Sequence, residues 1–286
     1  MSFLHTNPEE NITFYGAGSM AEAVVRGLIS RSVAKPGQIS MFNRSNRERL
    51  AYLSEHYGVN TAADQTEKDE MIRSASIIFL AMKPKDAGEA ISRIRPLLSE
   101  KQLIISFIAG LSIGTIQQLL GTKQPVARTM PNTSATIGLG TTGISFSPEV
   151  DDEQRQKVLS FFEAVGKAVV IEEKDQEILT GVSGSGPAYI YYMMEAMIAA
   201  GIEGGLSPEQ SRELTEQTVL GAVMMMRETK EDPAKLRKDI TSPNGSTQAA
   251  IEVLSAGGFT EIVKAAVHRC AERSREMGEE VKKALL

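Results

Sequence analysis

Cysteine, histidine and tryptophan are scarce in this chain, and the first two scarcities exclude classes of site. The 286 residues contain one cysteine, Cys270, and no tryptophan. An intrachain disulfide and a thiolate metal cluster are therefore both excluded. The three histidines, His5, His56 and His268, are scattered along the sequence, which argues against a histidine metal centre. We predict no metal site.

The chain also lacks a long apolar run and an excess of positive charge. The longest apolar candidates, such as residues 76–82, are too short to span a membrane. Residues 1–12 are polar and acidic, without an apolar signal segment. The net charge of −5 disfavours nucleic acid or an anionic membrane as a partner. With 42% hydrophobic residues, the composition is that of a soluble globular protein, which we expect in the cytoplasm.

Strand-like and helix-like segments alternate over residues 1–171. Residues 12–15 and 76–81 are apolar, strand-sized runs, and the second is continuous, as in a parallel sheet covered on both faces. Segments with helical spacing, such as residues 20–30 and 86–98, follow these runs. This alternation predicts βαβ units and an α/β domain with a doubly wound, Rossmann-type parallel sheet.

From residue 172 the strand-like runs disappear, and methionine, alanine and glutamate dominate. Helices begin at Ser207-Pro208 and at Asp232-Pro233. We therefore predict two domains, a dinucleotide-binding domain over residues 1–171 and an all-helical domain over residues 172–286. The apolar residues 189–198 and 224–226 fit either the core of a helical bundle or a contact with a second subunit, and both interpretations stay open.

A glycine-rich turn, residues 16–21 (GAGSMA), lies between the first predicted strand and the first predicted helix. Gly16 permits the tight turn, Gly18 lets the backbone approach a pyrophosphate, and the helix that follows directs free N–H groups at the phosphates. The motif alone is weak evidence, but its position between a strand and a helix predicts a dinucleotide cofactor. The predicted cofactor contacts in this turn are Gly16, Ala17, Gly18, Ser19 and Met20.

The end of the second predicted strand has no carboxylate to accept a hydrogen bond from the ribose of NADH. Asn43, Arg44 and Ser45 stand there instead. Arg44 and the Ser45 hydroxyl suit a 2′-phosphate, so we predict NADPH as the cofactor, with NADH less favoured. Further cofactor contacts are predicted where later strands end, because ligands of such sheets lie at the carboxyl ends of the strands. These contacts are Ala81, Met82, Lys83, Pro84 and Ala109.

Two segments of the helical half are unusual. Residues 181–188 place glycines and a proline where a long helix would otherwise run, and these residues are costly in a helix interior. Residues 241–247 combine an Asn-Gly turn with Ser and Thr at a predicted helix start. The resulting N–H and hydroxyl donors suit a carboxylate, although an ordinary helix cap is the alternative interpretation.

No His/Asp pair for moving an alcohol proton is evident in the sequence. A cyclic imine needs less help than a ketone, because it protonates more easily. Hydride transfer to such a substrate requires mainly positioning and a hydrogen bond near the nitrogen.

Five motifs together make the chain resemble the pyrroline-5-carboxylate reductase family over almost its whole length. They are residues 16–21 (GAGSMA), 81–84 (AMKP), 128–132 (RTMPN), 183–189 (SGSGPAY) and 242–247 (SPNGST), of which the last two are highly specific. The resemblance implies NAD(P)H-dependent reduction of L-1-pyrroline-5-carboxylate to L-proline, the last step of proline biosynthesis. The chain departs from the family at Asn244, where a glycine is usual, and in the longer leader, residues 1–11.

The resemblance also implies roles for residues and subunits. Thr247 matches the catalytic threonine that hydrogen-bonds the substrate ring nitrogen, and Ser242, Ser246 and Thr247 match the carboxylate site. The helical domain is expected to bind substrate and to form an intertwined homodimer, with further assembly into a decamer. Two alternatives remain: a reductase of another cyclic imine or a β-hydroxyacid, and a paralogue that binds NAD(P) as a regulator without turnover. The intact residues 242–247 count against the regulator.

Overall fold

The computed structural model describes residues 6–7 and 9–285. Among the described residues, eight strands form one sheet. Helices α1–α6 lie between these strands in the sequence, and α7 follows the last strand. The strands are β1 Ile12–Tyr15, β2 Ile39–Phe42, β3 Asn60–Thr61, β4 Ile77–Leu80, β5 Leu103–Ser106, β6 Val126–Pro131, β7 Gly140–Phe146 and β8 Gly166–Val170. The helices are α1 Ser19–Ser30, α2 Arg47–Tyr57, α3 Gln65–Ser74, α4 Ala87–Ile94, α5 Ile113–Leu120, α6 Asp152–Glu163 and α7 Gln176–Leu179.

The sheet has the strand order β3-β2-β1-β4-β5-β6-β7-β8. Strand β1 pairs with β2 on one side and with β4 on the other, so the direction of winding reverses between β1 and β4. A ligand crevice is expected at such a switch point. The predicted doubly wound sheet is confirmed.

One pairing in the sheet is antiparallel, that of β6 with β7. The connection between them, residues 132–139, contains only a 3₁₀ turn, Thr133–Ile137. A parallel pair needs a crossover of about a dozen residues, so this short link reverses the chain direction. The sheet is therefore mostly parallel, where the sequence pattern predicts a fully parallel one.

Apolar cores cover both faces of the sheet. On one face, Phe14 and Phe79 stack with ring centroids 4.2 Å apart, and α1 and α6 cover them. On the other face, Ile78 and Ile104 pack beneath α4 and α5. Burial of each such side chain contributes about 2–3 kcal/mol to folding, and the two layers fix the carboxyl ends of the strands in place.

The predicted helix over residues 86–98 is shorter in the structure. Helix α4 ends at Ile94 and is flanked by 3₁₀ turns, Pro84–Asp86 and Arg95–Leu97. Pro96 lacks the N–H group that the next α-helical hydrogen bond would require, so the helix ends before it.

The predicted interruption near residues 181–188 is a wide helical turn. A π turn, Thr180–Gly184, connects α7 to the following helix, and Ser185 N–H donates to the Thr180 carbonyl at 2.8 Å. Pro187 has no N–H to donate to the Ser183 carbonyl, its partner in a regular α-helix. That carbonyl accepts instead from Asn132 Nδ2 at 3.0 Å. The π turn is followed by a bend at Ser185, and α8 begins at Gly186 with Pro187 in its first turn.

The chain forms two compact units. The first consists of the residues up to Ser185 together with those from Arg269 onward, and the second is Gly186–His268. In the first unit, a Cβ added to Gly278 would lie 2.2 Å from the Gly110 carbonyl oxygen, so both glycines are needed for this close approach. The functional division between residues 171 and 172 stays a prediction.

Helices make up the second unit, in agreement with the predicted helical half. Helices α8 and α9 pack as a pair, and the Ser211 hydroxyl of α9 donates to the Ile198 carbonyl of α8 at 2.8 Å. None of the described helices is both long and apolar enough to cross a bilayer. The remaining helices are α8 Gly186–Glu203, α9 Pro208–Thr229, α10 Pro233–Asp239, α11 Ser246–Ala256 and α12 Phe259–Leu285, the last of which continues into the first unit.

Candidate functional site

The glycine turn after β1 is fixed by close backbone contacts. Gly16 N–H donates to the Phe42 carbonyl at 2.9 Å, and Gly16 has φ 121°. A Cβ on Gly16 would lie 2.2 Å from the Ala81 carbonyl oxygen. Only glycine fits this position, because any side chain would strike the backbone after β4.

The start of α1 is open and rich in donors. Gly18 is the N-cap and provides no side-chain acceptor, and a Cβ built on it would meet no atom within 4 Å. The backbone N–H groups of Ser19, Met20 and Ala21 have no acceptor among the described residues. Free N–H groups at the positive end of a helix dipole bind anions, so the turn fits a pyrophosphate.

Arg49 of α2 bonds both the backbone of this turn and helix α1. Its Nε donates to the Ala17 carbonyl at 3.0 Å, and its guanidinium pairs with Glu22 of α1. Tyr57 donates to the same carboxylate at 2.9 Å. Burial raises the pKa of Tyr57 to about 12, and the adjacent Glu22 carboxylate adds to the shift. Burial would raise the pKa of Glu22 as well, but hydrogen bonds from Arg49 and Tyr57 outweigh it and lower that pKa.

A cleft of about 460 Å³ lies at the carboxyl ends of β1, β2 and β4, where the winding reverses. Helices α3 and α4 supply its remaining walls. The cleft is lined by Tyr15, Gly16, Phe42, Asn43, Arg44, Gln65, Lys68, Asp69, Ile72, Ala81, Met82, Lys83, Asp86, Glu89, Ala90, Arg93 and Ile94.

The structure brings some of the predicted cofactor residues together in this cleft and leaves others outside its lining. Those that line it are Gly16, Asn43, Arg44, Ala81, Met82 and Lys83. Those that do not are Ala17, Gly18, Ser19, Met20, Ser45, Pro84 and Ala109. Among the residues outside, Ala17 to Met20 form the donor-rich turn itself, and Ala109 follows β5, on the other side of the switch point.

Asn43 and Arg44, which follow β2, differ in the contacts that their side chains make. The Asn43 side chain donates to the Asn46 carbonyl at 2.9 Å and accepts from Asn46 N–H at 2.8 Å, so it shapes the loop. The Arg44 side chain is 84% exposed, and its Nη1 lies 3.6 Å from Oδ1 of Asp86. Arg44 is therefore the more available of the two for an anionic ligand.

Sequence reasoning missed several residues of the cleft. Lys68 of α3 and Arg93 of α4 lie far from the glycine turn in sequence, and nothing in their local pattern separates them from ordinary surface charges. Tyr15 carries a usable signal, since an aromatic hydroxyl directly before Gly16 ends the first strand beside the cofactor turn.

The predicted substrate loop, residues 241–247, lies in the second unit and forms a closed turn. Gly245 N–H donates to the Ser242 carbonyl at 3.1 Å, with Pro243 and Asn244 at the central positions. Asn244 has φ 58°, which asparagine tolerates better than other non-glycine residues. A Cβ on Gly245 would lie 2.6 Å from Ser242 Oγ, so glycine is needed there. The turn thus forms with Asn244 at its third position.

This turn leads directly into α11, which begins at Ser246. The N-cap Gly245 offers no side-chain acceptor, and the Ser246 and Thr247 N–H groups have none among the described residues. The Thr247 hydroxyl also makes no hydrogen bond to a described residue, and its side chain is half-buried. Ser242, Ser246 and Thr247 are thus neighbours with unpaired donors, which suits a small carboxylate.

Two family models match the chain. One, described as pyrroline-5-carboxylate reductase dimerisation, matches residues 173–277. The other, described as NADP oxidoreductase, coenzyme F420-dependent, matches residues 11–110. The first covers the helical half, and the second covers the glycine turn and the cleft after β4.

The relatives that align with nearly the full length of this chain include several proteins named pyrroline-5-carboxylate reductase. Pyrroline-5-carboxylate reductase 2 of Bacillus subtilis is 42% identical over 97% of this chain and 98% of its own length. Pyrroline-5-carboxylate reductase of Staphylococcus haemolyticus is 35% identical over 92% of this chain and 98% of its own.

Solved structures give the same result. A pyrroline-5-carboxylate reductase from Coxiella burnetii superposes with a TM-score of 0.86 at 37% identity, covering 94% of this chain and 98% of its own. A pyrroline carboxylate reductase from Plasmodium falciparum with NADP bound also gives 0.86, at 30% identity, covering 96% and 100%.

Proposed function

Because the chain belongs to the pyrroline-5-carboxylate reductase family, we propose that it reduces L-1-pyrroline-5-carboxylate to L-proline with NAD(P)H, the final step of proline biosynthesis. The observation that carries this proposal is the closed loop of residues 242–247. Its unpaired donors at the start of α11 suit the carboxylate and ring nitrogen of a small cyclic amino acid.

For the cofactor, we propose the turn and cleft of the first unit. The free N–H groups at the start of α1 hold the pyrophosphate, and the open space in front of Gly18 admits it. Arg44, exposed beside the cleft, binds the 2′-phosphate that distinguishes NADPH from NADH, so we propose NADPH as the preferred form. When bound, the nicotinamide supplies the hydride.

On the substrate side, we propose that the Thr247 hydroxyl hydrogen-bonds the ring nitrogen and that Ser242, Ser246 and Thr247 hold the carboxylate. The imine reacts in its protonated form, and hydride addition to its carbon gives the neutral ring amine, so the step needs no further proton. The Thr247 hydroxyl accepts a hydrogen bond from the protonated nitrogen, and it thereby orients the ring and stabilises its charge. No separate acid–base pair is required, which agrees with a loop whose donors are N–H and hydroxyl groups.

Thr247 provides the test of this assignment. We expect Thr247→Ala to lower kcat/KM for pyrroline-5-carboxylate about 10- to 100-fold, because one positioned hydrogen bond to a charged group contributes ~1.5–3 kcal/mol. Thr247→Ser keeps the hydroxyl and should keep most of the activity. Both variants are measured by NADPH oxidation, and a fully active Thr247→Ala protein would refute the catalytic role.

The same assay separates the alternatives for the wild-type chain. Turnover with pyrroline-5-carboxylate supports the proposal. Activity confined to other cyclic imines would indicate a relative with a different substrate, and NADPH binding without turnover would indicate a regulator.

The family's dimerisation region covers residues 173–277, and we propose a homodimer that assembles further into a decamer. In the second unit, the buried residues are only Ser211 and Thr215, while Tyr192 is 76% exposed. Apolar side chains on the helices of the second unit are thus exposed, and we propose that a second subunit covers them.

We also propose a cytoplasmic location. The single cysteine in 286 residues fits a reducing compartment, and the reaction consumes a reduced nicotinamide cofactor. Cell fractionation tests this assignment.

A further inference from the structure

Tyr15 is the last residue of β1 and lines the cleft directly before Gly16. Its ring packs against Phe42 with centroids 4.6 Å apart and planes tilted by 37°. Its hydroxyl makes no hydrogen bond to any described residue. A half-buried phenol without a partner, on the wall of a cleft, is free to bond a ligand.

Charged groups of both signs surround this phenol. Arg93 acts on it most strongly, followed by Glu89, Arg44 and Asp86, and all four line the same cleft. Burial raises the pKa of Tyr15 above its ordinary value of 10.0. The hydroxyl therefore stays protonated at neutral pH and offers both a donor and an acceptor.

The position of Tyr15 in the topology indicates which part of a dinucleotide it would meet. In this fold the pyrophosphate lies at the turn after β1, and the residues after β2 meet the adenosine ribose. The cleft contains those residues, Asn43 and Arg44, together with side chains of α3 and α4. Ala109, on the opposite side of the switch point, does not line it. The cleft is thus on the adenosine side.

The lining also suits a purine. Apolar side chains supply much of the wall, and flat aromatic ligands bind between such groups when a few polar atoms fix their orientation. The apolar members are Phe42, Ile72, Ala81, Met82, Ala90 and Ile94.

We propose that Tyr15 is a binding residue for the adenosine half of the cofactor: its ring and Phe42 form one wall of the cleft, and its hydroxyl hydrogen-bonds the adenosine. This inference rests on the proposed cofactor site. Tyr15 takes no part in hydride transfer. It contributes to affinity and orientation at the end of the cofactor away from the nicotinamide.

The test compares Tyr15→Phe with wild type in the cofactor-free protein. Calorimetric titration with adenosine 2′,5′-bisphosphate, which lacks the nicotinamide half, should show a Kd raised about 2- to 12-fold, the range for loss of one neutral hydrogen bond. Phenylalanine keeps the ring and its packing on Phe42.

Tyr52→Phe is the matched control, since Tyr52 is 44% exposed on α2 and does not line the cleft. It should leave the Kd unchanged. An unchanged Kd for Tyr15→Phe would overturn the role of Tyr15, whatever its thermal stability. Failure of the wild-type protein to bind either the bisphosphate or NADPH would overturn the cofactor site as well, so the two failures are distinguishable.

Discussion

Gly16 and Gly18 lie two residues apart in one turn, yet their surroundings differ. A Cβ on Gly16 meets the Ala81 carbonyl oxygen at 2.2 Å, and its φ of 121° is strained for any side chain. A Cβ on Gly18 meets nothing within 4 Å, and its backbone is extended. Gly16 is therefore required by the fold, whereas Gly18 is required by the ligand that we propose in front of it.

An alanine substitution should therefore affect mainly stability at Gly16 and mainly cofactor binding at Gly18. Gly16→Ala should lower the free energy of unfolding by roughly 2–4 kcal/mol through the clash and the strained φ. Gly18→Ala should cost only ~0.5–1 kcal/mol, as a poorer helix cap. It should weaken NADPH binding about tenfold or more, because the methyl occupies the approach to the N–H groups.

Urea unfolding and calorimetric titration of both variants measure these effects. A Gly18→Ala protein that binds NADPH like wild type would show that the pyrophosphate lies elsewhere.

At the scale of elements, Arg49, Glu22 and Tyr57 join α1 and α2 beside the cofactor turn. The guanidinium and the phenol both bond the Glu22 carboxylate, and the Arg49 side chain is 26% exposed. Because Arg49 also bonds the Ala17 carbonyl, the cluster links the packing of two helices to the shape of the turn.

The lowered pKa of Glu22 makes this contribution pH-dependent. A carboxylate whose pKa is lower in the folded protein stabilises the fold above its ordinary value of 4.5, and this stabilisation is lost as the pH falls through the folded pKa. Glu22→Gln should therefore lower the free energy of unfolding by ~1–2 kcal/mol at pH 7. The difference from wild type should shrink as the pH falls below 4.5.

Denaturant titrations at several pH values measure this difference. The control is Glu48→Gln in α2, which changes an exposed carboxylate that forms no ion pair with a described residue. A difference between Glu22→Gln and wild type that does not vary with pH would contradict the role of the ionised carboxylate.

At the scale of the molecule, the second unit has apolar helix faces that its own chain does not cover. Leu220 is 55% exposed and Met224, one turn later on α9, is 41% exposed. Exposed apolar surface of this extent is typical of subunit interfaces.

We expect the wild-type protein to sediment as a dimer or larger species at micromolar concentration. Leu220→Asp combined with Met224→Asp should shift it towards monomer, since two charges would be buried unpaired. Glu48→Gln, a change of an exposed carboxylate in the first unit, should leave the sedimentation coefficient unchanged. A wild-type monomer would refute the proposed homodimer.

The fold class and the family resemblance follow from local sequence patterns. Alternating apolar runs and helical spacing predict the wound sheet, and the turn of residues 16–21 predicts a dinucleotide because its geometry depends on adjacent residues. The loop of residues 242–247 is local in the same way, and its turn forms with Asn244 at φ 58°.

Tertiary structure alone decides the contacts between residues distant in the chain. Tyr15, Lys68 and Arg93 meet in one cleft only because β1, α3 and α4 converge at the switch point of the sheet. The pairing of β6 with β7 is antiparallel because residues 132–139 are too few for a crossover. Sequence by itself determined the elements and the cofactor turn, since these depend on neighbours in the chain. The walls of the cleft depend on packing, which no local pattern records.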